Sequence, residues 1–382
     1  MVRKIITVLK NLLSVVVGLA VALLLAEGVL HLLEMQSGGG EKHLMWSSPH
    51  FVRAANGAVS FRPNEDVRMV STDGNGIEVD VRYHINNMGL IDSDDYHSLG
   101  SGVRRIAFVG DSLTAGQHGG SPWVPALRNK LAAGRPTYIY NLGVSGASVR
   151  HFAKLLENFS KSIALDEVVI VVISGYFMRS LWHPYTTDKE VFFCKHESDP
   201  DKCTAPKPVG TIIDFDADDS EILAHVAELD AATEAPSSGS RLLALVGKAY
   251  DGYRHGPQDR LEKWLRILIG KNIAAIAAIR EQFPDKKIRL LHLPVTSEVV
   301  AGRYQHEADI AEPLKQRLAE LDIDYLPALY KCNGWSADMF FAGNGHPNAS
   351  GYDAISRCAE KLLQLDEPRA AESPGASVVA AP

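Results

Sequence analysis

The sequence predicts an α/β domain in which a parallel sheet lies between two layers of helices. Short apolar segments have the length and residue types of buried strands at Arg105–Val109, Tyr138–Leu142, Glu167–Ile173, Ile288–Leu293 and Asp324–Leu326. Helical patterns lie between these segments, and strands that alternate with helices form parallel βαβ units. Such sheets bind ligands at the carboxyl ends of their strands, so we expect the functional site at that edge.

Composition limits the classes of protein to which the 382-residue chain can belong. A hydrophobic content of 46% and a charged content of 22% are those of a folded protein. The formal net charge is −7 and basic residues form no block longer than two, so nucleic acid is not an expected partner. Four cysteines are too few for a scaffold built on disulfides.

The N-terminal region is predicted to be a membrane anchor. The apolar run Leu12–Leu33 has 22 residues. As a helix it would rise about 33 Å, enough for a hydrocarbon core of about 30 Å. Arg3, Lys4 and Lys10 precede the run, which predicts a single-pass protein of the cytoplasmic membrane with its main domain on the outer side. A cleaved signal peptide is the alternative, because Ala20-Val21-Ala22 has the form of a cleavage site.

Composition and patterning divide the rest of the chain. We predict an anchor at 1–35, a linker and accessory β segment at 36–103, an α/β domain at 104–366 with an insertion at about 185–260, and a tail at 367–382. Alternation from Ile77 to Ile85 predicts an accessory strand, and the small, polar tail has the composition of a disordered segment.

The cysteines fall into two pairs. Cys194 and Cys203 enclose a short loop, and in an oxidising compartment they are expected to form a disulfide. Cys332 and Cys358 either pair or remain buried. A zinc site is not expected at Cys194, because His196 is the single nearby histidine and the spacing matches no common structural zinc pattern.

Three short motifs in the predicted α/β domain have the residue types of a serine hydrolase. The first strand runs into Gly110-Asp111-Ser112, which places a serine where strand becomes helix. Asn141-Leu142-Gly143-Val144-Ser145-Gly146 ends the second strand, and Gly343-Asn344-Gly345-His346-Pro347-Asn348 lies near the C-terminus. In this order the motifs resemble the conserved blocks of the SGNH, or GDSL, hydrolase family.

The resemblance implies a flavodoxin-like α/β/α sandwich and a role for each motif. Ser112 would be the nucleophile and His346 the base, and the backbone N–H groups of Ser112 and Gly146 would bind the oxyanion. The residues expected to support the motifs are Gly110, Asp111 and Asn141. The resemblance implies no cofactor and no metal.

Ser145 is a second serine that a motif search would find. Gly143-Val144-Ser145 begins like a G-x-S-x-G elbow, but position 147 is alanine instead of glycine. Ser112 therefore remains the expected nucleophile.

Two parts of the pattern depart from the family. The stretch Ser174–Arg179 lacks the asparagine that donates to the oxyanion in family members, unless Tyr176 or Arg179 substitutes for it. The acid expected two or three residues before the histidine is also absent, because Gly343 and Asn344 stand there. Asn344 would orient the imidazole through its carbonyl oxygen, and Asp338 is the alternative acid.

The expected function is a membrane-anchored serine esterase or O-acyltransferase. Leu25-Ala26-Glu27-Gly28-Val29-Leu30 and Ile85-Asn86-Asn87-Met88-Gly89 resemble segments of a bacterial SGNH subset that has an N-terminal membrane helix. The expected substrate is an ester, chiefly acetyl, on a cell-envelope glycan or another small acyl compound. Because hydrolysis and acyl transfer share an acyl-enzyme, the sequence does not separate them.

Two other classes of function remain to be weighed. The missing asparagine and acid leave open an inactive SGNH-like protein that binds glycan or assists envelope assembly. A metal-dependent hydrolase is not expected, because no His/Asp pair has the spacing of metal ligands.

Overall fold

The computed structural model describes residues 42–72, 76–118, 122–131, 136–196, 206–234, 257–305, 307–341 and 345–364. The predicted anchor at 1–35 and the predicted tail at 367–382 lie outside these residues, as do Cys203 and Asn344. Within the described part of the chain, no helix has both the length and the apolar character needed to cross a membrane.

The described strands and helices follow one another in a mixed order. The strands are β1 (Leu44–Trp46), β2 (Phe51–Arg53), β3 (Val59–Phe61), β4 (Glu65–Thr72), β5 (Ile77–Ile85), β6 (Arg104–Gly110), β7 (Thr137–Gly143), β8 (Glu167–Val172), β9 (Leu181–Thr186), β10 (Glu190–His196), β11 (Lys207–Ile212), β12 (Lys287–His292) and β13 (Asp324–Pro327). The helices are α1 (Ser112–Ala115), α2 (Trp123–Leu131), α3 (Val149–Ser160), α4 (Asp219–Glu234), α5 (Pro257–Gln282), α6 (Thr296–Ala301), α7 (Glu312–Glu320), α8 (Ala328–Lys331) and α9 (Ala349–Gln364). Short 3₁₀ turns cover Ser174–Met178 and Ala337–Met339, and a π turn covers Glu307–Ala311.

The predicted parallel sheet is confirmed. Its order is β13-β12-β8-β6-β7, and every neighbouring pair is parallel. Taken in chain order this is the flavodoxin-like arrangement 2-1-3-4-5, in which the chain reverses direction across the sheet after β7. Every residue of β8 is buried, which explains why its sequence is an almost continuous apolar run.

The reversal after β7 also accounts for the two helical layers. Right-handed crossovers place the helix between β6 and β7 on one face of the sheet and the helices of the later crossovers on the other face. Helix α9 packs against α2 on the first face, while α3 contacts β6. The carboxyl ends of β6 and β8 adjoin at the point of reversal, where a site is expected.

A second sheet has the order β5-β4-β1-β11-β10-β9. The accessory β segment supplies β1, β4 and β5, and the region around the predicted insertion supplies β9 to β11. Strand β1 runs parallel to β11, whereas β10 is antiparallel to both of its neighbours. The part of the insertion before residue 213 thus contributes strands to a sheet begun by the accessory segment.

The chain forms two compact units. Of the described residues, those within 44–70, 79–215 and 266–364 belong to the larger unit, and those within 42–43, 71–78 and 216–265 belong to the smaller. Within the smaller unit His43 Nε2 lies 2.7 Å from a carboxylate oxygen of Asp230 on α4. All described residues with a predicted role in the site belong to the larger unit.

The three described cysteines are disulfide-bonded. Cys332 and Cys358 form a disulfide, with their Cα atoms 5.7 Å apart, so pairing is the correct alternative for these two residues. Cys194 is also disulfide-bonded. Its predicted partner, Cys203, lies outside the described residues.

Buried histidines make the stability of the fold sensitive to acid. Burial lowers the pKa of His50 to about 4 and that of His151 to about 3. In the unfolded chain a histidine titrates near 6.5, so between that pH and the folded value the unfolded state binds more protons. The stability that these neutral, buried histidines contribute is therefore present above pH 6.5 and is lost as the pH falls.

We expect the free energy of unfolding to fall by about 3 kcal/mol on account of His50 alone between pH 6.5 and 4. His50→Phe retains the ring, which stacks on Phe61, but loses the hydrogen bond from Nδ1 to the Ser48 carbonyl. Urea unfolding at several pH values should show a variant about 1 kcal/mol less stable at pH 7 but with a shallower loss in acid. His97→Gln, at an exposed position, is the control. An equally steep acid loss in His50→Phe would contradict this role of His50.

Candidate active site

Ser112 stands at the carboxyl end of β6, as the first residue of α1. The preceding residue, Asp111, caps the helix, because its Oδ1 accepts a hydrogen bond from the Leu113 N–H at 2.9 Å. The Ser112 side chain lines a cavity of about 680 Å³, together with the apolar side chains of Ile173 and Phe340. The local structure therefore presents the hydroxyl of Ser112 to a space that a substrate can enter.

His346 meets Ser112 across a separation of 234 residues. Its Nε2 lies 2.9 Å from Ser112 Oγ, a distance that suits proton transfer between a hydroxyl and an imidazole. The loop is held by its backbone, since the Phe341 N–H donates to the His346 carbonyl at 2.8 Å and Phe340 pairs with Pro347. The structure thus brings the predicted nucleophile and the predicted base together.

Asn348 ties the histidine loop to its neighbours. Its Oδ1 accepts hydrogen bonds from the backbone N–H groups of Ser350 and Gly351 and so caps α9, while its Nδ2 donates to the Asp338 carbonyl at 2.7 Å. These contacts fix the position of the His346 loop relative to the start of α9.

The structure describes only one of the two residues that are candidates for orienting the His346 imidazole. Asn344 lies outside the described residues, so its role stays a prediction. Asp338 lines the same cavity as Ser112, is exposed, and accepts a hydrogen bond from the hydroxyl of Ser336. It remains the alternative acid.

Gly146 has the backbone geometry expected of the oxyanion turn. Its φ of 73° is in the left-handed region, which favours glycine. The indole Nε1 of Trp182 donates to the Gly146 carbonyl at 2.8 Å and so fixes the turn. Phe193 lies 2.8 Å from the position of an added Cβ, so a side chain at this residue would be crowded as well as strained.

Asn141 fixes the end of β7 to the loop that carries the nucleophile. Its side chain is fully buried, and its Nδ2 donates to the carbonyls of Ile91 and Ala115 at 2.9 and 3.3 Å. Its Oδ1 accepts from the Gly143 N–H at 3.1 Å. The Asn141 side chain therefore joins β7, α1 and the accessory segment, which is how it would fill its predicted supporting role.

The stretch that lacks the family asparagine contacts Asp111 instead. The Tyr176 hydroxyl donates to Asp111 Oδ1, and Arg179 Nη1 donates to Asp111 Oδ2 at 2.6 Å. The Arg179 guanidinium also lies over the Tyr176 ring and lines the cavity beside Ser112. The sequence placed these two residues at the right strand end but contained no signal that they bind Asp111.

Asp111 is a buried carboxylate whose charge is held by donors. Burial raises the pKa of its carboxyl, and the Arg179 charge and the Leu113 N–H oppose that rise. Removal of a donor would leave a buried charge without compensation, which is strongly unfavourable.

A second histidine contacts the base, and sequence reasoning missed it. The rings of His118 and His346 are stacked, with centroids 3.6 Å apart and planes 25° from parallel. His118 is only 5% exposed. Burial lowers the pKa of His118 well below its usual value, and His346 lowers it further, so His118 packs as a neutral ring. Its position six residues after Ser112 is the one sequence feature that could have drawn attention to it.

The arrangement has the parts needed for nucleophilic catalysis: a hydroxyl, an imidazole within hydrogen-bonding distance of it, and a glycine turn beside them. In the residues that the structure describes, no group of three or more His, Cys, Asp or Glu side chains could hold a metal ion.

Comparison with known proteins gives similarities at low identity. No protein-family model and no curated protein matches the sequence. Among solved structures, a lipase/acylhydrolase from Enterococcus faecalis is 14% identical over 68% of this chain and 95% of its own, with a TM-score of 0.37. The lipase Lip_vut3 from a goat rumen metagenome is 16% identical over 68% and 96%, with a TM-score of 0.35. A catalytic mutant of Axe2, an acetylxylan esterase from Geobacillus stearothermophilus, is 15% identical over 70% and 96%, also with a TM-score of 0.35.

Ser112→Ala and His346→Ala should each reduce kcat/KM on a small chromogenic ester by at least about 1000-fold. Both residues lie at strand ends or in loops, so the melting temperature should change little. The double variant should be no worse than either single variant, because nucleophile and base act as one unit.

Ser145→Ala is the matched control for these variants. It removes the same hydroxyl from the other serine of the motifs and should retain activity. If Ser112→Ala retained near wild-type turnover, or if only Ser145→Ala lost turnover, the nucleophile would be wrongly assigned.

The stack of His118 on His346 predicts the shape of the acid limb of the pH–rate profile. With its pKa well below the usual value, His118 stays neutral in mild acid, so the fall of kcat/KM in acid should follow a single ionisation. His118→Phe preserves a flat ring and should keep the shape of that limb. His118→Ala leaves His346 unsupported and should lower kcat/KM by about 10-fold. A two-proton limb in the wild type that becomes a one-proton limb in His118→Phe would show that His118 titrates instead.

Proposed function

We propose that this chain is an SGNH-type serine esterase or O-acyltransferase that acts on ester groups, chiefly acetyl, of a cell-envelope glycan. The observation that carries the proposal is the 2.9 Å approach of His346 Nε2 to Ser112 Oγ. It occurs at the carboxyl edge of a flavodoxin-like sheet, where such folds place their sites.

The first half of the reaction forms an acyl-enzyme. Ser112 Oγ attacks the ester carbonyl carbon while His346 Nε2 takes the hydroxyl proton. The negative charge that develops on the carbonyl oxygen is bound by the N–H groups of Ser112 and Gly146. When the tetrahedral intermediate collapses, the sugar oxygen leaves with the proton from His346, and the acyl group stays on Ser112.

The second half of the reaction decides between hydrolysis and transfer. Water, or a hydroxyl of an acceptor glycan, gives its proton to His346 and attacks the acyl carbon. Ser112 then leaves and recovers the proton. Both outcomes use the same residues, so the nature of the acceptor distinguishes an esterase from an acyltransferase.

Arg179 supplies positive charge where the family asparagine is missing. Its guanidinium is 34% exposed and lines the cavity that contains Ser112 and His346. A donor that stabilises an oxyanion raises the rate of reaction by about 10²–10³-fold. In the proposed mechanism Arg179 therefore has a large effect on turnover. Arg179 thus offsets the loss of the asparagine in the proposed mechanism.

The cavity has the size and lining of a small-molecule site. Its volume of about 680 Å³ lies in the usual range for ligand pockets. Apolar side chains of Leu113, Ile173 and Phe341 lie with polar Thr296 and Ser297 around the nucleophile. An acyl group would contact the apolar part, and sugar hydroxyls would contact the polar part.

Attachment to the membrane is part of the proposal. It is supported by the apolar run Leu12–Leu33 and by the three cations before it. A tethered enzyme on the outer side of the cytoplasmic membrane would encounter envelope polymers rather than cytoplasmic esters.

An inactive glycan-binding protein is the second candidate. It is favoured by one observation, that Ser174–Arg179 lacks the asparagine of the family motif. On this alternative the cavity would bind an ester-bearing sugar without cleaving it.

The detergent-solubilised full chain should release acetate from an acetylated glycan, and the Ser112→Ala chain should release none. If the enzyme is a transferase, adding an unacetylated acceptor glycan should divert acetyl groups to it and reduce free acetate. Acetate and acetylated acceptor are measured together. Retained binding of the glycan with neither product would establish the second candidate in place of the first.

A further inference from the structure

Two lysines share a sheet face with the aromatic pair that covers Gly146. Trp182 and Phe193 are stacked with ring centroids 3.7 Å apart, and both contact Gly146. In the antiparallel ladders Lys195 is opposite Trp182, and Lys207 is opposite Phe193. Directly opposite residues lie on the same face of a sheet, so both lysines lie on the face that covers the oxyanion turn.

Arg179 adds a third cation at the same turn. Its guanidinium donates to the Ala147 carbonyl at 3.2 Å, one residue beyond Gly146. It also lines the cavity that contains Ser112. The three cations, named here the cationic face, therefore lie beside the part of the site that binds the reacting ester.

Lys195 and Lys207 supply the uncompensated charge of the cationic face, because Arg179 forms an ion pair with Asp111 at 2.6 Å. In the part of the chain that the structure describes, neither Lys195 nor Lys207 is paired with a carboxylate. Burial lowers the pKa of Lys195, and repulsion from Lys207 and Arg179 lowers it further. Asp111, which binds Arg179, is fully buried and presents no carboxylate to solvent.

The charge of the cationic face is opposite in sign to the net charge of the chain. The protein as a whole has a formal net charge of −7 and would repel an anionic polymer at long range. The cationic face would instead attract an anionic polymer locally, at the place where the substrate must bind. Its natural complement is a negative charge on the substrate.

We propose that Arg179, Lys195 and Lys207 bind carboxylate or phosphate groups of the substrate, so that the esters cleaved or transferred at Ser112 are carried by an anionic glycan. The inference rests on the proposed function, because it concerns the substrate of the same site. A glycan chain is favoured over a membrane surface, since Arg179 lines the concave cavity that holds the nucleophile. The two lysines lie on the sheet face whose aromatic residues cover Gly146.

The test compares substrates that differ in charge. The full-length chain is assayed on an acetylated polyuronate, on the carboxyl-reduced and acetylated form of that polymer, on an acetylated phosphate-bearing glycan and on a small chromogenic ester. We expect kcat/KM to be about 10-fold higher for an anionic glycan than for the neutral polymer, and the preference to shrink as ionic strength rises. Preference for one of the two anionic polymers identifies the anion as carboxylate or phosphate.

Charge reversal tests the residues. The double change Lys195→Glu and Lys207→Glu should lower the ratio of anionic to neutral kcat/KM by at least about 10-fold. Lys315→Glu is the matched control, because Lys315 is exposed on α7, which packs against β13 at the opposite edge of the parallel sheet. It makes the same change of charge as either lysine change alone, and it should leave the ratio unchanged where Lys195→Glu and Lys207→Glu each lower it. Thermal melting of each variant verifies that it is folded.

The possible failures are distinguishable. Turnover of esters with no preference for anionic glycan would overturn the inference and leave the proposed function intact. Absence of turnover on every ester, including the chromogenic one, would overturn the proposed function. If the double variant lost affinity for vesicles of anionic lipid while its glycan preference equalled that of the wild type, the cationic face would be a membrane contact and the inference would be wrong.

Discussion

A buried carboxylate holds the parts of the candidate site together. Asp111 follows β6, caps the helix that begins with Ser112, and accepts hydrogen bonds from two side chains that follow β8. A buried charge is tolerated only when donors surround it, so the ends of these two neighbouring strands must stay in register. The position of the nucleophile depends on this constraint. The Arg179 contact that satisfies Asp111 also brings a cation to the cavity, which links the stability of the site to its chemistry.

The oxyanion turn depends on a different part of the molecule. Gly146 is covered by Trp182 and Phe193, which lie on β9 and β10 of the second sheet. Both rings also contact Phe51 edge-on, so the accessory β segment supports the same cover. Strands outside the α/β core thus determine the shape of the turn that is proposed to bind developing charge. This arrangement explains why the segment before the serine motif and the segment after β8 belong to one functional structure.

The sequence predicted the parallel sheet closely and the tertiary contacts poorly, for physical reasons. The five strand predictions lie within one residue of the observed bounds. For β6, β7, β8 and β12 the reason is that strands buried on both faces are continuous apolar runs, whereas β13 has one buried residue in four. Strands β9 to β11 carry prolines, polar residues and half-buried positions, so they have no such run, and the sequence predicts an insertion from about residue 185 instead of strands.

The same distinction applies to the site. Ser112, Gly146 and His346 can be predicted as site residues because each belongs to a short motif with local backbone requirements. The contacts of Asp111 with Tyr176 and Arg179, and the stack of His118 on His346, depend on the approach of distant segments, which no local pattern encodes. Likewise, the pairing of Cys332 with Cys358 depends on a Cα distance that sequence spacing does not reveal.

The assignment of Ser112 as a nucleophile activated by His346 is tested most directly by covalent labelling. The full-length chain is treated with a fluorophosphonate probe and the modified peptide is identified by mass spectrometry. The geometry predicts a single modified serine, Ser112, with labelling abolished in Ser112→Ala and slowed by at least about 100-fold in His346→Ala. Modification of Ser145 instead, or no modification of the folded wild-type chain, would contradict that assignment.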